Sequence, residues 1–493
     1  MSPGQSGLSC TRRVLLAGTA LASMLPVAGP AGAHGFGERY SLPIPLWLYL
    51  TGAGLTVAVS FGMIALFARQ APIARGHQRV GLMRLPLGRV PGAPKVLLAL
   101  QLLAVGLYLL VILAGLFGTQ SPLRNIAPAM VWAIWWVGMA YVSALVGNLW
   151  ALINPLDTLF AAAESFYQRL RPGRRLALGL QYPESLGVWP AVVLFTVFIW
   201  MEVAWKASNH PASLAAAMLA YSALTWLGML VFGRSEWLRR GEVFSLVFGL
   251  LARFAPIEWR AASAREWALR PYAVGLITSE PLPASQIALV LLLLASVSFD
   301  GFRDTPAWAA VVDGLGQDSH GWVPILGLAV LVSLFAGVYL AFCRLVVLWG
   351  TSHPHPDGPA ASRSVIRIAG VFVLTLVPIA IAYNLAHYLY FIVMAAQYLI
   401  PLASDPFGFG WDIFGTRNYF VRGVIDARLV WYVSVAAIVA GHIAALYVAH
   451  LQAVREFPDR RSALRSQWPM LVLMVGYTML SLWIIAQPIV TSG

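Results

Sequence analysis

The sequence predicts an all-α protein, a polytopic transmembrane helix bundle of about ten spans that follows an N-terminal signal-like segment. Three observations predict it. Of 493 residues, 59% are hydrophobic and 11% are charged, whereas a soluble domain carries about 25% charged residues. Apolar runs close to the ~20 residues that cross a bilayer recur along the whole chain. The basic residues fall in alternate loops between those runs.

The first 33 residues contain Arg12-Arg13, an apolar stretch from Val14 to Val27, and Ala31-Gly32-Ala33 directly before His34. Basic, apolar and small-residue parts in that order make a secretory signal. An uncleaved first helix is the alternative. The remainder, 34–493, reads as a single transmembrane helical domain. Its spans lie near 44–68, 96–118, 126–152, 188–206, 212–233, 284–299, 322–348, 366–402, 428–452 and 468–488. The run 366–402 is too long for one straight span, and Pro378 within it predicts a kink. The stretch GEVFSLVFGLLARFAP (241–256) is apolar but short, with arginines on both sides. It reads as a helix lying on the membrane surface.

Loop charge sets orientation, because cytoplasmic loops collect Lys and Arg. With the amino end inside, the five cytoplasmic loops hold 23 basic residues and the opposite loops hold 7. The opposite loops also carry eight acids. The formal charge of +13 is therefore a topology signal, and it argues against a nucleic-acid partner. The expected location is a cell membrane, with the bilayer as the main partner and with His34 and the C-terminus on the side opposite the cytoplasm. Cys10 and Cys343, the two cysteines, offer neither a disulfide framework nor a thiolate metal site.

An ionisable group at membrane depth is costly, so it faces the interior, a cavity or a partner. Glu202 and His387 are such groups, both expected in the outer half of the bundle. Tyr383, Asn384 and His387 share a helix face by their spacing. Asp300, Asp304, His210, Asp318, His320, Asp405 and Asp412 fall in or beside outer loops, and His34 would add an imidazole and a free amine. Carboxylates and imidazoles are ligands of Zn and related divalent metals. Such an ion lowers the pKa of bound water to about 7. The expected catalytic groups are Glu202, His387, Asp300 and Asp304. The expected metal ligands are Glu202, Asp300, His387, His34, His210, His320 and Asp405, holding a Zn-like divalent cofactor.

Plainer roles are open to each. Glu202 can pair with Lys206 one helical turn on, His387 with a backbone carbonyl, and the loop aspartates can cap turns. His442 and His450 stand about 12 Å apart along one helix, too far to share an ion. Each could instead ligate a b-type haem. His353, His355 and Asp357 resemble a chelating group but fall in a loop expected inside. The phosphate-loop, H-E-x-x-H and G-x-S-x-G patterns are absent from the sequence.

The stretches AHGFGERYSLPIPLWLYLTGAG, GNLWALINPLDTLF, SFDGFRDTPAW and LASDPFGFGWDIFGT run from residue 33 to 416. They resemble a family of bacterial multispan membrane proteins, some of which are named fenitrothion hydrolase. The resemblance implies hydrolysis of the P–O–aryl bond of a neutral phosphorothioate triester. It also implies a second, similar membrane subunit as partner. A small apolar substrate of that kind dissolves in lipid and could reach an outward site laterally.

The leading functional expectation is thus a metal-assisted membrane hydrolase. A transporter or channel for a small solute or metal ion would use the same buried polar groups as a relay, extended by His442 and His450. A b-haem or copper redox protein would use the intramembrane histidines.

Overall fold

Ten helices among the described residues are long and apolar enough to cross a membrane. They coincide with the ten runs read from the sequence. The computed structural model describes residues 40–67, 80–81, 94–259, 267–278, 280–315, 322–350, 364–457 and 459–491. All of them belong to the unit Glu38–Gly493. The signal-like segment with His34 lies outside the described residues, as do Asp318, His320, His353, His355 and Asp357.

The spans are α1 (Leu46–Phe67), α2 (Pro94–Phe117) and α3 (Ile126–Leu145), then, after α4 (Pro155–Leu170), a helix short of a full span, α5 (Trp189–Val203) and α6 (Pro211–Phe232). Past a second short helix, α7 (Val243–Leu251), come α8 (Ala284–Arg303), α9 (Val323–Gly350), α10 (Val365–Ser404), α11 (Ala427–Glu456) and α12 (Arg460–Ile489). Burial separates centre from rim. In the apolar windows of α8 and α10, 83% of residues are buried, against 11% in α2 and α9. Accordingly α2 leaves Leu98, Leu102, Leu103 and Leu113 exposed, and α9 leaves Leu326, Val330 and Leu334 exposed. Apolar surface on this scale suits lipid rather than water.

Two spans depart from regular α-helix, and both carry site residues. In α3, Ala129–Gly138 winds as a π-helix. Asn125 starts the span: its Oδ1 accepts from the Ala127 N–H, and its Nδ2 donates to the Ala114 and Thr119 carbonyls. In α10 the expected kink is a 3-10 stretch, Val373–Leu376. Pro378 sits in the first turn of the helix that resumes there, where its missing N–H costs nothing. The Thr375 hydroxyl donates to the Phe372 carbonyl inside the break.

The surface-helix reading of 241–256 is corrected. Helix α7 is inside the bundle, with Val243, Phe244, Val247, Phe248, Leu250 and Leu251 all buried. Six of its nine residues are buried, which suits a core helix rather than an interfacial one. The polar group that makes this tolerable is Glu242. Its carboxylate is wholly buried, and it accepts from the backbone N–H groups of Phe244 and Ser245, from the Trp150 indole and from the Tyr221 hydroxyl. It is an N-cap that also ties α7 to α6 and to the segment after α3.

Short strands complete the chain. β1 (Tyr40–Ser41) runs parallel to a terminal strand, Val490–Thr491. Between them in sequence lie β2 (Val80–Gly81), β3 (Ile257–Trp259) and β4 (Trp267–Leu269). The last of these pairs antiparallel with both others.

Replacing Glu242 by Ala leaves the Trp150 and Tyr221 donors buried without an acceptor. Each such group costs about 1–3 kcal/mol. The variant should therefore melt well below wild type in detergent, while Glu242→Gln, which keeps one carbonyl acceptor, should lie between.

Candidate acid–base site in the bundle

The structure brings Glu202, Asp300 and His387 together, and Tyr388 joins them. Glu202 stands in the last turn of α5, Asp300 in the last turn of α8, and His387 and Tyr388 are neighbours on α10. The Tyr388 hydroxyl lies 3.0 Å from Glu202 Oε1 and 2.8 Å from Asp300 Oδ2. His387 Nε2 lies 2.9 Å from the same Asp300 oxygen. The Trp136 indole, from the π-helical part of α3, donates to Glu202 Oε1 at 2.9 Å. On the far side, Arg303 approaches Asp300 Oδ1 at 3.7 Å. The result is one connected string of indole, carboxyl, phenol, carboxyl and imidazole.

Proton counting shows what the string can do. A phenol has a single proton to donate. Two carboxyl groups at hydrogen-bond distance from it are both satisfied when one accepts that proton and the other donates its own to the phenol oxygen. The arrangement thus holds protons in shared positions, as general acid–base chemistry requires.

Asp304 follows directly, capping the end of α8 within electrostatic reach of His387 and Asp300. Burial raises its carboxyl above the ordinary carboxylate range, and the imidazole of His387 opposes that rise. Glu202 is not the partner of Lys206: its carboxyl goes to Trp136 and Tyr388. The His387 ring meets Asp300 through Nε2.

Other expected residues stand apart from this string. His210 is exposed before α6, its Nδ1 3.4 Å from the Ser213 hydroxyl. Asp405 is buried but accepts from the Phe409 and Gly410 N–H groups, so it shapes the Gly-rich turn after α10. Asp412 likewise accepts from the Arg417 N–H. His450 is bonded to Gln467 at 3.0 Å. His442 uses Nδ1 on the Ile438 carbonyl of its own helix, and its Nε2 is buried without a partner.

The donor set was tested against the expected divalent metal. Among the described residues no group of three or more His, Cys, Asp or Glu side chains gathers around a common point. Asp300 Oδ2 and His387 Nε2 face each other, and Glu202 Oε1 faces two hydrogen-bond donors. This arrangement does not fit a four-coordinate ion.

Two cavities flank the string. The first, of about 20 Å³, is bordered by Trp136, Tyr141, Glu202, Ser296, Asn384 and Tyr388. That volume admits about one water molecule. Asn384 Oδ1 is buried there without a partner, an acceptor a water would satisfy. Both protein bonds to Glu202 fall on Oε1, and Oε2 receives neither. The second cavity, of about 290 Å³, is apolar and includes Trp132, Trp135, Phe198, Met201 and Tyr221. Trp136, which borders the first cavity, packs against Phe198, which lines the second, with ring centroids 4.7 Å apart.

Sequence reasoning missed Tyr388 and Trp136. Tyr388 directly follows His387, and a neighbour in sequence usually points elsewhere on a helix. Here the two straddle Asp300, a long-range contact that no local spacing announces. Compared with family models, with curated proteins and with solved structures, the chain matches none.

Tyr388→Phe removes the bridging hydroxyl and leaves two carboxyl groups facing each other without a shared proton. The expected result is a loss of roughly 1–3 kcal/mol in stability, measured as a lower melting temperature at pH 7 than wild type. Asp300→Asn in the same background should recover part of the loss by removing one of the opposed acids.

Proposed function

We propose that this multi-pass membrane protein is a hydrolase. In this reading Glu202 activates one water and the Asp300–His387 pair supplies and removes protons. The observation that carries the reading is the water-sized cavity bordered by Glu202 and by the unpartnered carbonyl of Asn384. Asn384 Oδ1 holds the water by accepting a hydrogen bond from one of its O–H groups, and Glu202 Oε2 takes the proton of the other as the oxygen attacks. The Tyr388 hydroxyl links Glu202 to Asp300, so that proton can be passed on towards His387.

The substrate class follows from the surroundings and from the resemblance to fenitrothion hydrolases. An apolar cavity of about 290 Å³ beside the string suits a small neutral ligand. For an aryl phosphotriester, water oxygen bonds to phosphorus and the P–O–aryl bond breaks. Its electron pair leaves on the phenolate, which takes the proton returned through His387. The Trp136–Phe198 wall must open for the two cavities to join. The sorting of loop charge supports a periplasmic position for this end of the bundle, reached from the lipid. A second, homologous membrane subunit would complete the enzyme.

Hydrolysis of a chromogenic aryl phosphotriester by membranes containing this chain tests the reading, alone and with a related subunit co-expressed. Glu202→Gln should lower kcat by roughly 10²–10⁴-fold, the usual worth of a positioned base, with little change in expression. Absence of turnover in both preparations would sink it.

A second reading, proton-coupled transport, is favoured by one observation. The Ser298 hydroxyl lies 2.6 Å from that of Tyr477, and the Tyr477 ring is 5.8 Å from that of His442. These groups extend polar character along the bundle, away from Asp300. Proton uptake by proteoliposomes with an added solute, without ester turnover, would support transport instead.

A further inference from the structure

The stretch GNLWALINPLDTLF lies apart from the acid–base string. Its Asn148, Asn154 and Asp157 line a cleft of about 430 Å³ together with Ser245, Arg253 and Gln286. Gln286 opens α8 and Asp300 closes it, so the cleft and the string are separated by about 21 Å along that helix.

The groups lining the cleft are unevenly matched. Asn154 is 3% exposed. Its Oδ1 accepts from the Leu156 and Asp157 N–H groups, at 2.9 and 3.3 Å, which starts α4. Its Nδ2 is buried and has no acceptor. Asn148 is similar: Oδ1 takes the Ala151 N–H at 3.1 Å. Asp157, the one acid in the lining, has its counter-charge in Arg234 at 3.3 Å, although its Oδ1 receives no hydrogen bond. Arg239, at the rim, is paired with Glu236. Arg253 has no acidic partner among the described residues. Its side chain is partly buried, and its carbonyl, not its guanidinium, takes part in the Arg270 contact nearby. Burial lowers the pKa of Arg253, as expected for a cation taken from water without a counter-charge.

A partly buried guanidinium with no acidic partner among the described residues, lining the same cleft as a buried and unused amide donor, favours a bound negative charge. Guanidinium groups favour planar or tetrahedral oxyanions, which accept two N–H bonds at once. The cleft volume falls in the range of small-ligand sites. We propose that this cleft binds a phosphate-type oxyanion, with Arg253 as its charge partner and Asn154 Nδ2 as its buried donor. Phosphate of that kind has two sources at a membrane face, the headgroup of an anionic lipid or a free phosphate. The site is independent of the hydrolase reading.

The test uses the full chain, purified and delipidated in detergent. Titration calorimetry and thermal shift are followed with inorganic phosphate, with a short-chain phosphatidylglycerol, and with chloride as control. Saturable binding of either phosphate probe, weakened at least tenfold in Arg253→Gln, is the expected result. Binding of phosphatidylglycerol alone assigns the lipid source, whereas binding of inorganic phosphate assigns the free anion. Asn154→Asp guards against misfolding, because it keeps the acceptor that caps α4 while replacing the donor with a negative charge. It should fold with wild-type helix content and lose binding. No saturable binding of either probe, or equal binding by wild type and Arg253→Gln, would overturn the proposal.

Discussion

The polar centre of this bundle depends on one hydroxyl. Glu202 and Asp300 come from different helices, and each would be costly in the apolar interior by itself. Two like charges in the same place would be worse. The Tyr388 phenol lies between them and gives each a partner at 3.0 and 2.8 Å. Trp136 on one side and His387 on the other then extend the chain of partners. Because the members belong to α3, α5, α8 and α10, the same bonds fix how four helices meet. Packing and chemistry are here one network, and a group lost from it is felt in both.

The architecture was largely legible in the sequence, and the reason is thermodynamic. A lipid-crossing segment must close its own backbone hydrogen bonds and present apolar side chains, so length and composition alone locate it. All ten spans follow from that. The short helix α7 was legible as a helix but not as a buried one. Its environment is decided by Glu242, whose partners Trp150 and Tyr221 are distant in sequence. A flanking arginine pattern gave the opposite impression. The small strands joining chain ends and loops likewise left no periodic trace, being two or three residues long.

The site was legible in part. Glu202 and His387 stood out because acids and imidazoles are rare in apolar runs, and Asp300 and Asp304 because they fall in or beside outer loops; Glu202, Asp300 and His387 do meet, with Asp304 within electrostatic reach. Asp405 stood out as another outer-loop acid and proved to be a turn former, its oxygens taken by Phe409 and Gly410. The difference lies in backbone donors that composition does not show. Tyr388 and Trp136 escaped notice because aromatic residues are common in membrane helices, and their polar atoms matter only once a carboxylate is opposite. Asn154 was visible as part of a motif, yet its unused amide proton emerges only when the surrounding groups are seen.

The interruption of α10 has a mechanical meaning. Where Val373–Leu376 tightens to 3-10 geometry, the regular ladder of carbonyl-to-amide bonds is broken, and such a joint bends more readily than unbroken helix. Everything this helix gives to the polar centre lies beyond the joint, at Asn384, His387 and Tyr388. A tilt of the distal arm would carry the imidazole, the phenol and the amide as one rigid piece past Glu202 and Asp300, which ride on other helices. The span therefore has the construction of a lever with its fulcrum beside Pro378.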